Sequence, residues 1–134
     1  MADDIPAGFF IRTPINTAIA AAPAIGINAG SCGAVTQATS KTTAVTLSRK
    51  AGVITMNNAA LATVTAVKFT LTNTTCGATD IVLCNQGSGG TAGAYSVEAS
   101  AAAGSIVFRV ENNTAGSLSE AVTINYLILD SQAG

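Results

Sequence analysis

The chain has no histidine and no tryptophan, and its charged residues are 6 basic against 7 acidic, a tenth of the composition. Without histidine it lacks the commonest general base and the usual partner of cysteine at zinc. No motif sets a lysine beside a nucleophile, and Gly87-Ser88-Gly89 lacks the strand-to-helix context of a nucleophile elbow. The carboxylates Asp80, Glu98, Glu111, Glu120 and Asp130 fall mostly on outward strand positions or strand ends, so they read as solvated charges rather than a glycosidase pair. The segment Gly87 to Gly93 has no Gly-Lys-Ser/Thr ending and no helix after it, so it reads as a mobile inter-strand loop, not a phosphate cradle. No catalytic, cofactor-binding or metal-binding residue is assigned, and the expectation is a protein that is not an enzyme and takes no cofactor.

Scarcity of charge excludes further classes. Net charge is −1, and Arg49-Lys50, the nearest approach to a basic patch, has no aromatic platform beside it, so nucleic acid is not expected as a partner. No apolar run reaches the ~18 to 20 residues of a spanning helix, and Ile15 to Ile27 is interrupted by Asn16, Thr17 and Pro23, so no membrane is expected either. A secretory leader is not expected where Asp3 and Asp4 stand in place of positive residues, which puts synthesis in the cytoplasm. Cys32, Cys76 and Cys84 cannot all pair within one chain and form no CxxC, so zinc is not expected. Cys84, among Ile81, Val82 and Leu83, reads as a buried free thiol. A Cys76–Cys84 bridge is sterically conceivable, but a reducing compartment favours free thiols. Asn73-Thr74-Thr75 and Asn112-Asn113-Thr114 match the N-glycosylation pattern and read more simply as turns.

What the chain does have is alternation. Side chains change face at each strand residue, so Val67, Phe69 and Leu71 share one face while Lys68, Thr70 and Thr72 share the other. Gly104 to Glu111 repeats the scheme with Ile106, Phe108 and Val110 inward and Val107, Arg109 and Glu111 outward. Ala121 to Leu129 points Val122, Ile124, Tyr126 and Ile128 at the core, while its other face turns from Thr123 and Asn125 to Leu127 and Leu129, a greasy outer patch. Weaker strands are expected at Ala44–Leu47, Gly52–Asn57, Asp80–Asn85, Gly93–Ala99 and near Val35, eight in all, with Gly, Asn, Ser and Thr between them. Asn58 to Thr65 reads as a connection with room for one helical turn. The pattern predicts an all-β fold, an antiparallel two-sheet β-sandwich, jelly-roll-like, with an immunoglobulin-like Greek key second.

A single domain of 134 residues buries ~65 to 70% of the surface its unfolded chain exposes. The core here is built from small parts, with roughly a third of the chain Ala or Thr and only 4 Phe and 2 Tyr. A buried Ala contributes far less than the ~1.5 to 3 kcal/mol of a buried Leu or Phe. Modest monomer stability and sparse charge both predict self-association or docking onto a larger assembly. Residues 1–34 read as an extended N-terminal arm and 35–134 as the sandwich domain. The arm carries Ile5, Phe9, Phe10, Ile11 and Ile15 without strict period, and Pro6, Pro14 and Pro23 forbid a continuous helix. It either folds back on its own domain or lies on a neighbour.

The stretches Thr36–Leu47, Gly52–Asn57, Ala59–Ala62 and Val67–Asn73, continued by Ala78–Val82, Gly93–Tyr95 and Asn112–Val122, resemble a module that recurs in tailed-bacteriophage virion proteins. Small chains with such a domain are similar to phage head decoration, or cement, proteins. The resemblance implies a non-enzymatic structural protein on the capsid exterior that braces subunits of the major capsid protein, as a homo-oligomer, trimer before dimer. It covers Thr36 to Leu129 and not the arm. On the physical argument, Ile5, Phe9, Phe10, Ile11 and Ile15 are the candidates for capsid contact, and Leu127 and Leu129 for subunit contact. The alternative is a receptor- or glycan-binding module of a phage fibre or tail, for which Tyr95 and Tyr126 are the candidate stacking surfaces, Tyr126 reading as core.

Overall fold

The computed structural model describes residues 26–131. A single 3-10 turn, Ala29–Ser31, leads into eight strands: β1 (Cys32–Thr36), β2 (Val45–Thr46), β3 (Ala51–Thr55), β4 (Thr65–Thr72), β5 (Ile81–Gln86), β6 (Tyr95–Ala102), β7 (Ser105–Asn112) and β8 (Thr123–Leu129). They form two four-stranded sheets, ordered β1-β3-β8-β5 and β2-β4-β7-β6. Each segment predicted from alternation holds one strand.

The two sheets close on the side chains that the alternation points inward. Phe69, Leu71, Ile106, Phe108 and Val110 from one sheet meet Ile54, Val122, Ile124, Tyr126 and Ile128 from the other side of the sandwich, all buried. Phe69 and Phe108, directly paired across β4 and β7, stack at 5.5 Å between centroids. Phe108 also reaches Tyr126 on the opposite sheet at 6.0 Å, so three of the few rings present form a single seam between the sheets.

The antiparallel expectation needs correction. β1 pairs with β3, and β2 with β4, in parallel, so both sheets are mixed. The cause lies in the connections: the chain alternates sheets through its first four strands, and a strand reached by way of the opposite sheet returns in its original direction. β1 also begins at Cys32, so the sandwich takes up the last residues of the segment assigned to the arm. Asn58 to Thr65 forms no helix; Leu61 instead makes a bridge with Leu118 and is buried.

The two Asn-x-Thr triplets are structural devices at opposite ends of the β4–β7 pair. Asn73 and Asn112 are fully buried. In each, the side-chain oxygen accepts from the backbone N–H and the hydroxyl of the Thr two residues on, at 2.7 to 3.0 Å. The amide of Asn112 donates to Leu61 O and Gly116 O, and that of Asn73 to Arg49 O. The nitrogen that a glycan would need is thus committed to the fold.

The glycine-rich loop, expected to be mobile, is stitched down. Gly87 N–H donates to Thr123 O, Gly89 N–H to the Thr123 hydroxyl, and Thr123 N–H to Gly89 O. A β-carbon at Gly89 would stand 2.7 Å from Ala121 O, so this approach requires glycine.

Candidate functional site

The two outer faces of the sandwich differ in kind. On the β2-β4-β7-β6 sheet, Lys68, Arg109 and Glu98 form one cross-strand row. Arg109 lies 2.5 Å from Glu111 and 3.5 Å from Glu98. Glu111 holds the guanidinium above its ordinary range. This is a surface made for water. The strands of the other sheet contain no Asp, Glu, Lys or Arg at all.

On that second sheet, registration gathers the apolar outward residues at one end. Ala51 and Leu83 flank Leu127 across β3, β8 and β5, and Ile81 lies opposite Leu129. Ile81 is 55% exposed, Leu83 52%, Val53 37% and Leu129 36%, while Leu127 is half-buried by its neighbours. Isolated exposed apolar residues are ordinary, but a cluster on a chargeless face is a candidate contact surface. Polarity begins in the middle of the face, where Val53 shares a row with the exposed Asn125 and Asn85, and the far end carries Thr36, Thr55 and Thr123 in one row. Beside the apolar end, Lys50 donates to Thr75 O and to Asp130, and lies 3.9 Å from Asp80.

Leu127 and Leu129 thus stand together on the outer face, as expected. Ile81, Leu83 and Val53 join them and were not singled out in the sequence. Four consecutive apolar residues, Ile81 to Cys84, leave both faces of β5 greasy, so alternation gave no sign of which pair faces out. Cys84 is half-buried rather than buried, its thiol 3.7 Å from Val97 O and pushed up in pKa by burial. Cys76 is buried, Cys32 is exposed, and all three are free. The capsid-contact candidates Ile5, Phe9, Phe10, Ile11 and Ile15 lie outside the described residues.

The polar side chains serve the fold's own loops. Lys41 is 3% exposed and donates from Nζ to Asn57 O at 2.5 Å and Glu120 O at 2.6 Å. Burial lowers its pKa, and Glu120 partly restores it. The Glu120 carboxylate accepts from the Thr91 hydroxyl (2.6 Å), Thr91 N–H (2.9 Å) and Tyr95 hydroxyl (2.7 Å), which holds it below its usual range. Tyr95 is buried, and Tyr126 lies in the core with its hydroxyl donating to Arg49 O. Tyr95 as a candidate stacking surface is therefore corrected: alternation along β6 turns its ring inward with Val97, Ala99 and Ala101, and Glu120 accepts from its hydroxyl. Asp80 accepts from Ser131 N–H and Gly77 N–H, the first being the larger cause of its lowered pKa. Among the described residues, no three His, Cys, Asp or Glu side chains are grouped to hold a metal, and no helix is long and apolar enough to cross a membrane.

Comparison with family models, with curated proteins and with solved structures gives no match to this chain.

Proposed function

We propose that this chain is a structural virion protein that binds the exterior of a phage capsid and stabilises it by bridging major capsid protein subunits, a decoration or cement protein. The observation that carries the reading is the two-faced sandwich, one outer face ionic and wet, the other chargeless and apolar over Val53, Ile81, Leu83, Leu127 and Leu129. The resemblance of Thr36 to Leu129 to phage virion modules supplies the kind of surface such a face would meet. On this reading the sandwich is a jelly-roll relative whose first two strands joined their sheets in parallel. Capsid contact falls to Ile5, Phe9, Phe10, Ile11 and Ile15, and subunit contact to Leu127 and Leu129 within a homo-oligomer, a trimer before a dimer.

The mechanism is additive burial. A standard interface removes ~1,600 Å² from water in total, and symmetric copies multiply the effect through avidity. Load from internal DNA pressure is then shared over several contacts instead of one. The burial of Tyr95 and Tyr126 weighs against the glycan-binding alternative, which needs an exposed ring. The experiment is co-sedimentation with phage heads stripped of the protein, with solution mass from light scattering. Saturable binding at a fixed ratio to the major capsid protein is expected. Retention on host cells or glycans with no binding to heads would replace this reading with the fibre one.

A further inference from the structure

The chain enters the sandwich at the apolar end of its chargeless face. The turn Ala29–Ser31 passes directly into Cys32, which shares an outward row with Ala51, Leu127 and Leu83. The 25 residues that precede the described chain carry Ile5, Phe9, Phe10, Ile11 and Ile15, and no charged residue stands between Arg12 and Lys41. An apolar segment and an apolar face are therefore joined by an uncharged tether at their common end.

Area decides which occupant the face suits. Four strands at ~4.8 Å and a seven-residue β8 at ~3.3 Å per residue give roughly 19 by 23 Å, or about 400 Å² in projection. A stable partner normally buries about 800 Å² of accessible surface on each side, so a second copy seated here would have to bury surface beyond the face as well. A tethered segment needs far less, because its effective concentration is in the millimolar range and a weak intrinsic contact is then occupied. The residues between Ile15 and Cys32 reach up to about 50 Å when extended, more than twice the distance across the strands.

The geometry points to the segment Ile5–Ile15 of the same chain as the cover of this face in the free protein, laid over Val53, Ile81, Leu83, Leu127 and Leu129. This goes beyond the virion reading and does not depend on it. Its consequence for that reading is competition: a capsid surface must draw Ile5–Ile15 off the chain's own sheet, and only then are Leu127 and Leu129 open to a second subunit.

The full chain has no tryptophan, so Phe10→Trp places a single reporter in the segment. In dilute solution its emission is expected to be blue-shifted relative to the urea-unfolded chain, by an amount independent of protein concentration. Adding Leu83→Lys, or Ile81→Lys on the edge strand, should move the emission to the red while leaving the far-ultraviolet β-sheet signal intact. Val107→Lys is the matched control, since Val107 is as exposed as Val53 but lies on the ionic face. Emission that is already red in the folded chain overturns the inference. So does a blue shift indifferent to both lysines, which would seat the segment elsewhere, and so does one lost on dilution, which would assign the face to a second copy. No capsid is present in this measurement, so its failure leaves the co-sedimentation test standing.

Discussion

Val64 is 71% exposed and holds φ +48° in the turn before β4, a conformation that costs an L-residue about 1 to 2 kcal/mol and disfavours β-branched side chains most. Nothing is recovered by burial there, so Val64→Gly is expected to raise stability by about 1 kcal/mol, less the entropy glycine adds to the unfolded chain. Urea unfolding checks this: the midpoint should rise at constant slope, and a fall would mean that the valine side chain makes a stabilising contact. Lys41 is the opposite case. Its ammonium is buried between two carbonyls for which no other donor stands among the described residues, so Lys41→Ala takes away that donor and should cost about 2 to 3 kcal/mol. The same titration reads it out; a loss below about 0.5 kcal/mol, the usual size of a surface effect, would show that water takes the lysine's place.

At the scale of elements, Asp80 fastens the start of β5 to the end of β8, because its carboxylate accepts from both Gly77 N–H and Ser131 N–H. Those bonds hold its folded pKa below the ordinary value of 3.8. A depressed carboxylate contributes stability that is present above the unfolded pKa and lost as pH falls through the folded one. Thermal unfolding followed from pH 6 down to pH 2, about the range in which carboxylates titrate, should therefore show an acid limb that is shallower in Asp80→Asn; identical limbs would remove Asp80 from the account. The strands that this clasp joins were legible because β8 and β7 keep a strict two-residue period, which reports the face of each residue directly. That same period is silent about partner and direction, so the parallel pairs β1–β3 and β2–β4 could not be read from it. Lys41 was illegible for a related reason: its acceptors are 16 and 79 residues away, and no local pattern encodes them. Of the candidate surface, Leu127 and Leu129 showed as a break in a polar face, whereas Ile81 and Leu83 were hidden in a run that is apolar throughout.

For the whole molecule, the decisive variant is deletion of Met1 to Asn16. Among the described residues, every member of the buried core lies between Val45 and Ile128, so the shortened chain should keep its β-sheet spectrum and a cooperative unfolding transition. It should lose co-sedimentation with phage heads, because the five large apolar side chains assigned to that contact go with the deletion. It should also bind a dye such as anilinonaphthalene sulfonate more strongly than the full chain, because the cover of the chargeless face is gone. Salt distinguishes the forces at work: the deleted residues carry only Asp3, Asp4 and Arg12, so binding of the full chain to heads should persist where screening has shortened the Debye length to about 3 Å, near 1 M salt. Binding that collapses in salt would place the contact on the ionic sheet instead, around Lys68, Arg109 and Glu98. Unfolding of the shortened chain would make the segment part of the domain's own core. Loss of head binding with the fold kept and dye binding no stronger than in the full chain would keep the arm as the capsid contact while removing it from the sheet, so the three readouts assign the segment's partner whichever way they fall.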